Sequence, residues 1–473
     1  MSKVPWMKHL IFGLPFLLTA CTLGPDYRRP EVTATPAFRE DAPWKEAAPA
    51  DAIAREAWWQ IYGDSTLNDL QERARTANQD LQAAVARVDQ ARAAARISEA
   101  DRFPRIDLDP ALSRGRTPDA LAPLEHGFTS TVLSVPFDLN YEIDLWGRVR
   151  RSVEAATAEY QATAADFENV RLTLHADIAR DYFALRALDA EIALLQRTVE
   201  LRRQNLRLVD SLFRNGQVSR LDVARAETEL AAAEADEAGL RRRRAGFEHG
   251  LAVLVGEAVA NFSLSPAPLD LDLEPPAVAP DLPSYLLERR PDIAAAERQM
   301  MAANARIGIA RAAFFPVVSL TGSAGWASDE LSTLFNWGNR AWALGPFVSL
   351  PIFDAGRNRA GLEGARAAWE ESVANYRQQV LVAFSEVEDA LSDLHHLADQ
   401  SAALQQAATS ARDAAELSGK RYRAGLVSYL EVVFSERSAL VAEQLATQVQ
   451  GQRLQASVSL IKALGGGWDE RTL

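Results

Sequence analysis

"RNGQVSRLDVARAE" runs from Arg214 to Glu227, and "RAGLVSYLEVVFSE" runs from Arg423 to Glu436. The two stretches lie 209 residues apart, and seven of their fourteen positions are identical. The same offset sets Gly147-Arg148 on Gly356-Arg357, and Leu254-Val255-Gly256 on Ala463-Leu464-Gly465. Upstream, Phe103-Pro104 falls on Phe315-Pro316, and Asp80-Leu81 on Asp292-Ile293, at an offset of 212. Agreement at this many separated points marks an internal duplication. The change of three residues falls inside the segments read below as strand pairs, where a connecting loop can lose residues.

Each quoted stretch is a helical hairpin. Gly216 and Gly425 follow the last residues of a helix, where glycine accepts the left-handed conformation that closes it. Ser219 with Asp222, and Ser428 with Glu431, then have the spacing of a serine N-cap with a carboxylate in the first turn. Working outward, each half reads helix, strand, strand, long helix, shorter helix. The first helix covers about Thr66 to Arg102, and the strands Pro104–Ser113 and Thr131–Trp146. The long helix covers Arg148–Phe213, and the next Arg220–Val255. The second copies start near Pro291, Pro316, Ala341, Arg357 and Tyr429. A helix of about 65 residues is ~100 Å long. Such helices pair along their length or line a tube rather than fill a globular core. Between the halves, Glu257–Ser284 holds six prolines and cannot be one helix. It reads as a linker along the outside of the helices.

The strands are two-faced. Phe137, Leu139, Tyr141, Ile143 and Leu145 alternate with Asp138, Asn140, Glu142 and Asp144. Ile106, Leu108 and Leu112 oppose Asp107, Asp109 and Ser113. Val318 and Leu320 oppose Ser319 and Thr321, and Val348, Leu350 and Ile352 oppose Ser349. A period of two serves a soluble sandwich and a membrane barrel alike. The context of long helices and export favours the barrel. Four strands cannot close one, and lipid does not tolerate open edges. The chain is therefore expected to be an obligate homo-oligomer. Trp326, Trp337 and Trp342 border the later strands, as interface aromatics or as locally packed loop residues. Arg114–Ser130 and Gly322–Arg340 are the expected surface connections.

The amino terminus has two lysines (Lys3, Lys8), an apolar run from Leu10 to Leu18, then Leu18-Thr19-Ala20-Cys21. That is a secretory signal, and its apolar run is about half of what a spanning helix needs. Small residues before the only cysteine of the chain resemble the lipobox of bacterial lipoproteins. The implied product loses residues 1–20 and carries a diacylglyceryl group and an acyl chain on Cys21. Removing Lys3 and Lys8 with the signal leaves 49 basic against 64 acidic residues, a net charge of −15. That argues against a nucleic-acid partner, which a basic surface would serve. The expected organisation is a lipidated segment (21–65), a first repeat (66–256), a linker (257–284), a second repeat (285–465) and a tail (466–473).

Several motifs together resemble the TolC-like outer-membrane efflux family, in its lipoprotein branch of OprM/NodT type. They are Gly24-Pro25-Asp26-Tyr27 after the lipobox, and Trp58-Trp59 with Gly63-Asp64 and Leu67. Arg289-Arg290-Pro291-Asp292-Ile293, Phe315-Pro316, the run Pro351–Arg357 and Arg421-Tyr422-Arg423-Ala424-Gly425 complete the set. The resemblance covers nearly all of the mature chain. It implies a mainly α fold with a membrane β-barrel, formed by a homotrimer with an α-barrel tunnel and a shared twelve-stranded β-barrel. It implies a Gram-negative outer-membrane location with the helical part in the periplasm. The absence of aspartate at Thr22 favours the outer over the inner membrane. The implied partners are a periplasmic adaptor protein and an inner-membrane pump, meeting the hairpin tips at Arg214, Gly216, Gln217, Ser219, Arg220, Gly425, Leu426, Ser428 and Tyr429. Of these, Gln217, Arg220, Leu426 and Tyr429 are expected to be exposed. Some relatives narrow the periplasmic end with aspartate rings near the second tip. Here that turn reads Leu426-Val427-Ser428, and the candidate gate residues are Arg412, Glu416, Arg421 and Glu431.

Lining a lumen, Asp107, Asp109, Asp138, Glu142 and Asp144 would form acidic rings that favour cations. The expected function is an exit duct that passively conducts small toxic molecules from pump and adaptor to the exterior. A duct for type I secretion of polypeptides and a non-conducting coiled-coil lipoprotein are the alternatives. An enzyme is not expected: there is no phosphate loop, HExxH or nucleophile elbow. No metal site is expected either. His395 and His396 are adjacent on a helix, a spacing that directs them to different faces.

Overall fold

The computed structural model describes residues 22–31, 57–121, 127–276 and 290–466. Cys21, the signal, residues 277–289 and the tail beyond 466 lie outside the described residues. A 3-10 turn, Trp58–Tyr62, leads into α1 (Ser65–Ala77) and α2 (Gln79–Ala100). Strands β1 (Arg105–Leu108), β2 (Ala111–Arg116) and β3 (Thr129–Glu142) follow. Then come α3 (Arg148–Arg214) and α4 (Arg220–Leu254). The second half supplies α5 (Pro291–Ala312), β4 (Val317–Ser328), β5 (Arg340–Ser349), α6 (Arg357–Arg423) and α7 (Tyr429–Ala463). Helices α3 and α6 are each 67 residues long, α4 and α7 each 35, and α2 and α5 each 22. Among the described residues no helix is long and apolar enough to cross a membrane.

Two compact units are present. One holds the sheet, with the described residues up to Glu31, Arg87–Ala164 and Ala295–Arg377. Its sheet order is β1-β3-β4-β5, with β2 also on β3, all antiparallel. β1 and β2 are two pieces of one strand line: Leu108 opposes Phe137 and Ala111 opposes Ser134. Pro110 and Pro136 lack the N–H groups that would bridge the gap. The sheet is therefore four strands wide. Register keeps like with like across it. Leu108, Phe137, Ala324 and Trp342 lie in one row, and Asp107, Asp138, Ser323 and Ala343 in the next.

β4 extends further than expected, whereas β3 stops at Glu142 and β5 at Ser349, which leaves Ile143, Leu145, Leu350 and Ile352 outside the strands. β4 runs on to Ser328, so Gly322–Ser328 is strand rather than connection. Gly325 permits this, because a Cβ there would sit 2.1 Å from the Val135 carbonyl oxygen. The first helix also differs from expectation, since it breaks at Asn78. Asn78 Oδ1 accepts from Leu81 N at 2.8 Å, and its Nδ2 donates to the Leu254 carbonyl at 2.9 Å. The N-cap half of this break is local, whereas the Leu254 carbonyl that anchors Asn78 lies 176 residues away.

The other unit contains the described residues of Val32–Ala86, Ala165–Ala294 and Gln378–Leu473. Its core is built from Trp58, Leu67, Leu70, Ile178, Phe183, Leu391, Leu454 and Ile461 with their neighbours. Arg290 Nη1 donates to Glu386 at 2.6 Å and to the Ala463 carbonyl at 3.1 Å, and Arg290 also pairs with Asp292. Pro291 opens α5 at the position where a missing N–H costs nothing. Leu264 and Ala267 of the linker donate to Glu248 and Asp189, which strap it onto α3 and α4.

Candidate functional site

The two hairpin tips close on one small apolar cluster. Val209, Val223, Ala226, Tyr429, Val432 and Val433 are buried together, with Tyr422 packed beside them. Above it, Glu229 receives Arg202 at 3.3 Å and Arg437 at 2.7 Å, and Asn205 donates to Glu436 at 2.8 Å. Burial pushes the Glu436 carboxyl above its ordinary range. These links tie α3 and α4 to α7. Sequence reading missed them, because each pairs residues from different helices.

Gly216 and Gly425 have φ of +70° and +73°, and at both a Cβ would meet nothing within 4 Å. Backbone conformation alone therefore requires glycine at these turns. Gln217, Arg220 and Leu426 are exposed, as is Arg214, which pairs with Asp210 at 2.5 Å. Ser219 forms the full capping box with Asp222. Two expectations fail here. Ser428 makes no side-chain cap, and Glu431 turns to Arg421 at 3.4 Å instead. Tyr429 is not on the surface. It is 5 % exposed, with its ring 5.6 Å from that of Tyr422, and it forms part of the tip core.

The four candidate gate residues are all engaged within the chain. Arg412 donates to Glu443 at 2.5 Å, Lys420 pairs with Glu416, and Arg421 with Glu431. Arg412 and Glu416 border a cavity of about 570 Å3 that Leu201, Val209, Tyr422 and Glu436 also line.

On the sheet, Asp107 stands directly opposite Asp138, and both belong to the polar face. Asp109 and Asp144 are placed differently from expectation, while Glu142 lies at the end of β3 as expected and, like Asp107, is ion-paired. Glu142 is held by Arg148 at 2.5 Å, and Asp107 by Arg105 at 2.9 Å. Asp144 is not in a strand. Its carboxylate accepts from Val149 N at 3.1 Å and Arg150 N at 3.0 Å, which caps α3. Asp354 caps α6 in the same way through Gly356 N and Asn358 N. Asp109 lies between β1 and β2, with its N–H on the Pro136 carbonyl. Of the tryptophans, Trp326 packs edge-on against Phe335. Trp337 and Trp342 are 76 % and 79 % exposed, the first beneath Arg340.

The segment just after Cys21 is pinned. Leu23 N donates to the Trp146 carbonyl at 3.0 Å, and Arg151 pairs with Asp26 at 2.9 Å. Tyr27 and Arg29 both hold Glu297, and Asn304 holds the Pro25 carbonyl. Gly24 crosses Gly308 so closely that a Cβ would fall 2.6 Å from the Gly308 Cα. Gly24–Tyr27 is therefore an attachment point for the amino-terminal strap.

Among the described residues, the two-faced sheet has no strand paired to the outer sides of the β1/β2 line and β5, and the chain carries duplicated 67-residue helices. The family model for outer membrane efflux proteins matches residues 70–257 and 282–466. The chain belongs to the outer membrane efflux protein family. It is 35 % identical over 471 residues to outer membrane protein OprJ of Pseudomonas aeruginosa, with 98 % of each chain covered. It is 35 % identical over 467 residues to the solvent efflux pump outer membrane protein SrpC of Pseudomonas putida, again covering 98 % of each. The solved structure of the outer-membrane channel OprN superposes with a TM-score of 0.87 at 33 % identity, over 95 % of this chain and all of that one. As a member of this family, the chain is an outer-membrane protein with the fold of an efflux channel.

Proposed function

We propose that three copies of this chain form the exit duct of a tripartite efflux system, passing small toxic molecules from an inner-membrane pump and a periplasmic adaptor to the exterior. The observation that carries the reading is the sheet: one apolar face, one polar face and two open edges. In lipid such edges must pair, and three sheets four strands wide make twelve strands. The reading also includes acylation of Cys21, placed immediately before the strap that Asp26, Tyr27 and Arg29 fasten. The exposed tip residues Gln217, Arg220 and Leu426 are the surface offered to the adaptor. SrpC is named for solvent efflux, and other relatives for toluene and antibiotic efflux. The cargo class proposed here is accordingly small apolar or amphiphilic toxicants.

The test is growth of a deletion strain against solvents, dyes, detergents and antibiotics. Sensitisation reversed by the wild-type gene, but not by a Gly425→Val variant present at equal outer-membrane level, is the expected result. A deletion strain equally resistant to every compound, in a background stripped of other such ducts, would overturn the reading.

A further inference from the structure

Helix α6 has an unusual charge pattern. From Gln378 to Ala411 it carries five carboxylates (Glu386, Glu388, Asp389, Asp393, Asp399) and no lysine or arginine. Within that stretch sit His395 and His396. Adjacent helical residues diverge by roughly 100°, which made joint metal binding unexpected. In the structure the two side chains nevertheless turn towards one another. The two imidazole rings lie 5.1 Å apart, edge to face. One donor atom from each histidine and from Asp399 lies within 4.8 Å of the other two. Asp399 follows His395 by four residues and His396 by three, so one carboxylate reaches both rings. His396 and Asp399 are exposed and His395 is half-buried. Among the described residues, no hydrogen bond or ion pair occupies the donor atoms of these three side chains.

We propose that His395, His396 and Asp399 form a binding site for a divalent transition-metal ion of the Zn2+, Ni2+ and Cu2+ class. Two imidazoles and one carboxylate select that class over Ca2+ and Mg2+, which prefer all-oxygen shells. Metal bonds of about 2.0–2.2 Å require donors no more than ~4.2 Å apart. A small rotation of the exposed side chains closes the triad from 4.8 Å. Water fills the remaining positions. The ion retains one net positive charge after the single carboxylate, and the surrounding acidic stretch attracts it. Binding clips one turn of α6 through residues i, i+1 and i+4. The site is independent of the duct's cargo.

The experiment uses the full chain, purified in detergent without a histidine tag. Equilibrium dialysis against Zn2+, Ni2+ and Cu2+ is expected to show one ion per chain with micromolar affinity. Binding by His396→Ala and by Asp399→Asn should be at least tenfold weaker, with helix content unchanged by circular dichroism. His249→Ala is the control and should bind as the wild type does. With Cu2+, electron paramagnetic resonance should show coupling to two nitrogens, falling to one in His395→Ala. A wild-type chain that binds no more metal than the His395→Ala/His396→Ala double variant would overturn the proposal. So would a Cu2+ spectrum without two-nitrogen coupling.

Discussion

His175 shows how a single side chain sets a pH limit. It is 4 % exposed on α3 and stacks on Trp59 with ring centroids 4.3 Å apart. Gln71 Nε2 donates to its backbone carbonyl at 2.9 Å, so Gln71 Oε1 faces Nδ1, which must carry the proton. Burial, together with Arg171 and Arg75, lowers the imidazole from 6.5 to about 4. In the unfolded chain it takes a proton near 6.5. Between those values the unfolded state binds more protons, so stability falls as pH falls from 6.5 to 4. The whole interval contributes about 3 kcal/mol per chain at most. Thermal melts should show a midpoint dropping through that window, with a smaller drop in a His175→Phe/Gln71→Leu variant. An identical pH slope in both proteins would rule His175 out. Glycines make a second contrast. Gly256 has φ of +75°, and a Cβ there would fall 2.2 Å from the Ala77 carbonyl oxygen. Gly425 has open space and only the backbone term, about 1–2 kcal/mol. Gly256→Ala should abolish assembly into the membrane, while Gly425→Ala should assemble normally. Comparable yields of assembled protein would show the α1–α4 approach to be looser than described.

At the scale of elements, the second hairpin separates stability from recognition. Tyr429 opens α7 and is buried with Val209 and Val432. Removing a buried aromatic costs about 3–5 kcal/mol, so Tyr429→Ala should loosen the tip and speed its proteolysis. Leu426 is 69 % exposed, and Leu426→Ala should change stability by no more than ~0.5 kcal/mol while weakening capture by the adaptor. Loss of stability in the second variant, or none in the first, would reverse these assignments. The same hairpin shows what sequence alone can convey. Its glycine, its turn and the length of its helices were legible, because capping chemistry and the 209-residue repeat are written locally. The burial of Tyr429 was not, since a residue at the first position of a helix faces solvent unless another element covers it. Ser428 looked like Ser219 because both precede an acidic residue by three. Only the structure shows Glu431 committed to Arg421. Asn78 and the His395–Asp399 triad escaped for related reasons: the first answers to a carbonyl far along the chain, and the second depends on how two rings turn.

For the whole molecule, the proposed duct makes the sheet responsible for both assembly and conduction. The β1/β2 line and β5 are its edges, and in lipid their outward N–H and C=O groups have no solvent. Edge pairing between copies should give a species of three chains by native mass spectrometry. Single prolines walked along β5 should dissociate it wherever the lost N–H faces outward; a trimer indifferent to every one of them would place the contact elsewhere. Conduction then follows from the polar face. Asp144 drops out because it caps α3, and Arg148 and Arg105 offset Glu142 and Asp107. Four carboxylates against two arginines leave a net of about −2 per chain, fewer charges than the strand pattern alone promises. In the proposed trimer, three copies around one lumen would still present a negative ring, which would draw cations and repel anions. A planar bilayer under a salt gradient should therefore give a reversal potential of cation sign. Asp107→Asn combined with Asp138→Asn should move it towards zero, because that row would then hold no charge and Arg105, paired across to Asn140, would lose its Asp107 partner. An anion preference in the unmodified protein would mean that the arginines, rather than the aspartates, set the field of the pore.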